Sequence, residues 1–176
     1  MTDTSKLYNF AHELGNKYTA LFNVYRDEKV GDFPLSFLAI YHRRDERYMI
    51  SKRIKVYGVE NQEIIFAAVC EDLDTDYIQN FQQTIESNVT EYVPEDNEHM
   101  STTVLGIVIV DQDVDERILK EVKRYRKLKF LKFGLHGWLE MYTVLVNLKD
   151  RTIYVHPKGK QFVKSLEKVV KQGVNV

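Results

Sequence analysis

The first third of the chain changes from a helical to a β-type pattern of apolar positions. Leu7, Phe10, Leu14 and Tyr18 recur at three- and four-residue spacings that continue to Tyr25, which predicts a helix over residues 4–26. The proline at position 34 breaks this pattern, because proline fixes its own φ and extends the residue before it. Strands are predicted at 35–42, 48–57 and 64–69, with a polar turn at 60–63.

The remainder predicts alternating helices and strands. Asp74 is a candidate N-cap for a second helix, which should end at Pro94, and the β-branched run 102–110 predicts a buried strand. This strand, helix and strand form a plausible right-handed βαβ crossover. A third helix follows, with Asp113 or Asp115 as its candidate N-cap. After it come a hairpin, with strands at 139–148 and 152–156, and a short closing helix at 162–170.

These elements define the expected fold class. Their order, α-βββ-α-β-α-ββ-α, predicts an α+β fold with a mixed six-stranded sheet and helices packed on it. A chain of 176 residues with 44% apolar content has the usual size of one domain, so residues 1–176 are expected to form a single domain.

The predicted location is cytoplasmic. No run of about eighteen apolar residues occurs, as a membrane helix would need, and the first residues lack the pattern of a signal peptide. Cys70 is the only cysteine, so no disulfide framework exists. Both features favour a reducing compartment.

Charge is divided unevenly along the chain, although the formal net charge is only −1. Residues 56–116 contain fifteen acidic residues and neither lysine nor arginine, whereas the other 115 residues contain 25 basic and 11 acidic ones. The densest basic segment, residues 117–132, interleaves its cations with Tyr125 and Phe130.

The charge division motivates the leading hypothesis, a non-enzymatic interaction domain that binds an acidic partner, either nucleic acid or an acidic protein. Its candidate binding residues lie on the second predicted strand and along the basic segment: Arg53, Lys55, Lys120, Lys123, Arg124, Arg126, Lys127, Lys129 and Lys132. Two other interpretations stay open. The segment could be a solvated face of the third helix, or it could dock on the acidic interval of a second copy, which would make the protein self-associate.

One segment carries a family resemblance. The residues Lys132-Phe133-Gly134-Leu135-His136-Gly137-Trp138 resemble the FG-x-HGW segment of an uncharacterised family of small prokaryotic α+β proteins, and the resemblance extends over most of the chain. It implies no activity and no functional residue. His136 is added to the candidate binding residues because two glycines flank it, although Gly134 could equally end the third helix and Gly137 open the next strand.

The alternative function is a divergent metal-dependent nuclease or hydrolase. The order α-βββ-α-β is similar to that of restriction-endonuclease-like domains, whose chemistry needs an acidic residue on one strand and Glu-x-Lys on the next. The only such triplet here, Glu121-Val122-Lys123, falls on a predicted helix. A divergent site would have to draw on Glu13, Asp45 or Glu60.

Other candidate motifs favour structural interpretations. The cluster at 95–99 lacks the spacing of a calcium loop and indicates a solvated linker, and Lys158-Gly159-Lys160 indicates a helix start after Pro157. Acidic neighbours of Cys70 disfavour a reactive thiolate. No catalytic residue, metal or cofactor is therefore predicted, and whether the protein is an enzyme stays open, with a non-enzymatic role favoured.

Overall fold

The structure is a computed structural model that describes residues 4–44, 60–93, 99–131 and 137–172. Its helices are α1 (Thr4–Tyr18), α2 (Thr75–Asn88), α3 (Glu116–Arg124) and α4 (Lys164–Gln172), with 3₁₀ turns at Val89–Tyr92 and Pro157–Phe162. Its strands are β1 (Asn23–Arg26), β2 (Lys29–Val30), β3 (Phe33–Pro34), β4 (Phe37–Arg44), β5 (Glu60–Val69), β6 (His99–Val110), β7 (Arg126–Phe130), β8 (Trp138–Asn147) and β9 (Thr152–Tyr154).

A mixed sheet organises the fold. Its strand order is β1-β4-β5-β6-β8-β7, and β9 pairs with β8 beyond the end of β7. The pairs β5–β6 and β6–β8 are parallel, whereas the other pairs in this sheet are antiparallel. Strands β2 and β3 form a separate small hairpin. The predicted α+β class with a mixed sheet is confirmed.

Helices cover both faces of the sheet, because its central strands are apolar on both sides. Val104 and Val108 of β6 pack in a core with α2 and α3, while Leu105 and Ile107 pack in a second core with α1 and α4. We call these two sides the α2/α3 face and the α1/α4 face. No helix in the described ranges is long and apolar enough to cross a membrane.

Several local predictions are confirmed. Asp74 caps α2 by accepting a hydrogen bond from the amide of Tyr77 at 2.7 Å, and Asp115 caps α3 through the amide of Arg117. The connection from β5 through α2 to β6 joins two parallel strands, as predicted. The predicted carboxyl-terminal hairpin is present as β8 and β9.

The predicted first helix is too long. It ends at Tyr18, and residues 23–26 form the edge strand β1 instead. The apolar stripe misleads here because Leu21 and Tyr25 are exposed, with 74% and 45% of their surface accessible. The open side of β4 offers Asn23–Arg26 a backbone partner that the helical pattern does not anticipate.

Two further predictions need correction. Residues 60–63 begin β5 rather than forming a turn, and Gln62 lies buried there because it bonds to Tyr92 and Thr102. The third helix ends at Arg124, so Gly134 does not end it, and residues 126–130 form β7. The main sheet has seven described strands, β1 and β7 among them. The predicted strand 48–57 lies outside the described residues.

Candidate functional site

Strand β7 lies at one edge of the main sheet. It follows α3 directly, because Tyr125 leaves the helical conformation and starts an antiparallel pairing of Arg126–Phe130 with β8. No described strand pairs with the other side of β7. Among the described residues, the backbone donors and acceptors on that side have no strand partner, which is the arrangement to which a further strand can add.

The two sides of β7 differ in chemistry. Lys127 pairs with Met141 and Lys129 with Leu139, and both partners belong to the core beneath α2 and α3. Because side chains alternate along a strand, the two lysines project from the α2/α3 face and Leu128 and Phe130 from the α1/α4 face. Both lysines are exposed, and so are Leu128 and Phe130, at 47% and 65%.

Three exposed cations of α3 extend the positive charge of β7. We define the basic edge as these three residues together with the two lysines of β7: Lys120, Lys123, Arg124, Lys127 and Lys129. Lys123 also places its Nζ atom 5.4 Å from the centre of the Tyr154 ring. The phenol of Tyr125 donates a hydrogen bond to Glu86 at 2.5 Å and so anchors the end of α3 to α2.

Arg126 lies on the opposite side of β7 from the lysines. Its Nε atom donates to Oε1 of Glu140 at 2.9 Å and to the Tyr142 hydroxyl at 3.2 Å. The Tyr142 hydroxyl also donates to Glu140. Arg126 thus belongs to a half-buried network between β7 and β8 and not to the basic edge.

A cavity of about 380 Å³ opens on the α1/α4 face beside this network. A polar row forms its floor, because the strand register places Tyr41, Glu63, Thr103 and Glu140 side by side on four neighbouring strands. Ser101, Trp138 and Phe162 also line it. Trp138 faces Phe130 across the β7–β8 pair, so the cavity adjoins the apolar side of β7.

Glu63 is the most strongly perturbed acid of the cavity. Its side chain is half-buried and forms no hydrogen bond or ion pair with the side chains that the structure describes. Burial raises the pKa of Glu63 from 4.5 to about 7, because the charged form loses solvation. Burial, together with the nearby charge of Glu63, also raises the pKa of Tyr18 on α1.

The structure places six of the ten predicted binding residues. Five of these form the basic edge, and the sixth, Arg126, is paired with Glu140. Arg53, Lys55, Lys132 and His136 lie outside the described residues. Gly137 has a φ of 91°, a conformation that favours glycine, and β8 begins at the next residue, as predicted.

Two of the three residues proposed for a metal site fall on separate described elements. Glu13 lies on α1, Glu60 begins β5, and Asp45 lies outside the described residues. No group of three or more His, Cys, Asp or Glu side chains positioned to hold a metal ion occurs in the part of the chain that the structure describes. Burial raises the pKa of the Cys70 thiol to about 11.

Residues 56–116, the acidic interval, contact the basic remainder of the chain. Lys6 pairs with Asp111 at 3.6 Å and Lys149 with Asp113 at 2.9 Å, and each pair joins a basic residue from outside the interval to an acid within it. The uneven charge along the sequence is therefore partly neutralised in the fold. The basic edge is therefore a better indication of a binding surface than the uneven distribution of charge along the whole chain.

Sequence reasoning missed three features of this region. It assigned β7 to a helix, although Lys127, Leu128, Lys129 and Phe130 alternate between charged and apolar residues, which is the period of a strand. It also gave no role to Glu63 or Glu140. The signal that could have identified these two acids is their position among the apolar residues of a central strand. Burying a carboxyl group is costly unless a contact compensates it, so such a position suggests a specific role.

A family model matches residues 7–168, a range that begins within α1, ends within α4 and covers nearly the whole chain. The chain belongs to the DUF8052 family. The description of this family is a domain of unknown function, in agreement with the expected family of unassigned activity. Comparison of this DUF8052 chain with curated proteins and with solved structures finds no match. The matched residues include β7, the basic edge and the cavity.

Proposed function

We propose that this protein is an interaction domain that binds an extended acidic peptide segment of a partner protein along β7. The observation that carries the proposal is the open side of an edge strand with lysines on one face and exposed apolar residues on the other. In this binding mode, called β-augmentation, main-chain hydrogen bonds supply affinity and alternating side-chain contacts supply specificity.

The side chains of β7 specify the sequence pattern of the partner. A residue that pairs with Lys127 or Lys129 projects from the α2/α3 face, where an aspartate or glutamate has a favourable cross-strand contact. A residue that pairs with Leu128 or Phe130 projects from the other face and meets exposed apolar surface. The preferred partner therefore alternates acidic and apolar residues, and each facing pair contributes about 0.2–1 kcal/mol.

Charge disfavours a second copy of this chain as the occupant. If two β7 strands paired antiparallel about Leu128, Lys127 of each copy would face Lys129 of the other on the same side of the sheet. Like charges directly opposite each other destabilise a strand pair. The two lysines thus oppose pairing between edges of identical copies while they favour an acidic strand.

The cations of α3 strengthen this selectivity. Lys120, Lys123 and Arg124 are exposed on α3, the helix that leads directly into β7, so they add positive charge near the start of this strand. Such complementarity mainly accelerates association and selects among partners. Because the contacts are exposed to solvent, salt should weaken binding strongly.

A binding titration tests the proposal. The probe is a fluorescently labelled peptide that alternates glutamate with leucine and phenylalanine, measured by anisotropy between about 0.05 M and about 0.5 M NaCl. The double variant Lys127→Glu/Lys129→Glu should weaken binding by about 1.4 kcal/mol or more, which is at least tenfold. The matched control, Lys164→Glu/Lys168→Glu, makes the same charge change at exposed positions of α4 and should bind like the wild type.

Backbone methylation separates strand pairing from simple charge attraction. In an added strand, alternate amides point towards β7 and the others point away. Two peptides N-methylated on opposite sets of amides should therefore differ, one losing affinity and the other retaining it. Equal affinity for both peptides would contradict strand addition, and tight binding of single-stranded DNA that the lysine variants abolish would favour nucleic acid as the partner.

A further inference from the structure

The cavity on the α1/α4 face has the features of a small-ligand site that is separate from the β7 edge. Its floor is the row formed by Tyr41, Glu63, Thr103 and Glu140, and its volume is about 380 Å³. Cavities of this size accommodate small molecules, and specificity usually comes from a few polar groups among apolar walls. The nature of those groups indicates the class of ligand.

The two carboxylates of the row have different surroundings. Glu140 contacts the guanidinium of Arg126 and the hydroxyl of Tyr142, so its charge is compensated within the protein. Glu63, two strands away and therefore at a Cα separation of roughly 9.5 Å, forms no ion pair with the side chains that the structure describes. Burying a carboxylate is costly unless a charge compensates it, and a cationic ligand bound beside Glu63 would lower that cost.

The walls of the cavity suit a cation as well. Trp138, Tyr41 and Phe162 line it, and the face of an aromatic ring attracts a cation through the ring quadrupole. The Thr103 position lies between the two carboxylates, where a hydroxyl can accept a hydrogen bond from an ammonium group. Carboxylate, hydroxyl and aromatic rings together are complementary to a substituted amine.

We propose that this cavity binds a small organic cation, a primary amine or a guanidinium compound, with Glu63 as its counter-ion. The site does not depend on the proposed binding of a peptide by β7, because no residue of β7 is among those that line the cavity. Trp138, which pairs with Phe130 of β7, lines it.

Protonation links ligand affinity to pH. Among the side chains that the structure describes, the titratable and charged groups that face Glu63 are Tyr18 from α1 and Tyr41 from β4, with Glu140 and its partner Arg126 farther along the row. The pKa of Glu63 lies at about 7, so lowering the pH neutralises the counter-ion. Affinity for a cation should fall by up to about tenfold per pH unit below that pKa, and binding near it should release roughly half a proton.

The single tryptophan provides a direct readout, since Trp138 lines the cavity. The probes are a primary alkylamine, an alkylguanidinium and a neutral alcohol of matched size, titrated while Trp138 fluorescence is followed. We expect saturable changes with the two cations and none with the alcohol. Calorimetry in two buffers with different ionisation enthalpies should detect proton release on amine binding.

Variants distinguish a counter-ion from a structural residue. Glu63→Gln should weaken amine binding at least tenfold and abolish its pH dependence, whereas the exposed control Glu28→Gln should change neither. The pH dependence and proton release of the wild type test the same assignment if Glu63→Gln does not fold. The assignment is overturned if neither cation changes the fluorescence, if the alcohol binds equally well, or if folded Glu63→Gln binds like the wild type.

Discussion

The Nε atom of Arg126 donates a hydrogen bond to Oε1 of Glu140 at 2.9 Å, and this ion pair ties β7 to β8 on the α1/α4 face. It takes Arg126 out of the basic surface that the sequence suggests. Lys127 and Lys129 project from the other face of β7, and Glu63 lies two strands from Glu140 across the sheet.

Because Arg126 is paired with Glu140, the cations of β7 should contribute unequally to the binding of an acidic peptide. Arg126→Gln should weaken acidic-peptide binding by less than about threefold, because its charge is already compensated within the fold. Lys127→Gln/Lys129→Gln should weaken it at least about tenfold, because both ammonium groups face the added strand. Anisotropy titrations of the two variants at low salt make the comparison, and a larger loss for Arg126→Gln would contradict the assignment of faces.

Glu63 predicts an unusual pH dependence of stability. In the folded protein the Glu63 carboxyl keeps its proton up to about pH 7, whereas in the unfolded chain it releases the proton near pH 4.5. The contribution of Glu63 to the free energy of unfolding is therefore lost as the pH rises between these values. The loss is about 3 kcal/mol. Because Gln does not titrate, the difference in unfolding free energy between Glu63→Gln and the wild type should shift by about that amount in favour of the variant from low to high pH.

Urea denaturation of both proteins at a series of pH values measures this difference, and contributions from the other titrating groups cancel. Glu28→Gln serves as the control, because Glu28 is exposed and its difference from the wild type should stay flat. A flat difference for Glu63→Gln as well would show that Glu63 is not desolvated in the folded protein.

Substitution of Gly106 by alanine should be costly, because α2 packs closely against the sheet at this position. A Cβ atom at Gly106 would lie 2.9 Å from Cδ1 of Ile85 and 3.0 Å from Cε2 of Phe81, both buried side chains of α2. Gly106→Ala should therefore cost about 1–3 kcal/mol of unfolding free energy.

Gly15 on α1 is the matched comparison. The nearest atoms to its Cβ position belong to the guanidinium of Arg26, which lies at the end of a flexible side chain and donates hydrogen bonds to the His12 carbonyl and to Oδ1 of Asn16. The loss of these exposed hydrogen bonds is offset by helix propensity, which alanine improves by up to about 1 kcal/mol. Gly15→Ala should thus stay within about 1 kcal/mol of the wild type in the same denaturation assay. Equal losses at both positions would argue against tight packing at Gly106.

The N-cap of α2 offers a test of local structure. Asp74→Ala removes the acceptor for the Tyr77 amide and should lower the unfolding free energy by about 1 kcal/mol. Asp74→Asn keeps an acceptor oxygen and should retain most of the stability. Thermal denaturation compares the two, and equal losses would indicate that the side-chain bond does not stabilise the helix.

Local chemistry made much of the fold predictable. The caps at Asp74 and Asp115, the apolar β6 and the β8–β9 hairpin depend on neighbours in sequence, and these features are confirmed. The ends of the sheet were not predictable in this way. Strands β1 and β7 gain their backbone partners from β4 and β8, which the pattern of their own residues does not reveal.

The candidate site shows the same limit. The cations of the basic edge were visible as a charge run, but their separation from Arg126 depends on strand alternation across the β7–β8 pair. Glu63 and Glu140 lie 77 positions apart in the sequence and meet around one cavity only because both neighbour Thr103 of β6. Long-range strand register, which no local pattern encodes, created this site.

Amide hydrogen exchange of β7 tests the central claim most directly. With a saturating peptide that alternates acidic and apolar residues, the backbone amides of residues 126–130 on the open side of the strand should exchange markedly more slowly. Exchange in β1, at the opposite edge of the sheet, should not change. Protection of the β7 amides would support strand addition, whereas a bound peptide that leaves their exchange unchanged would contradict it.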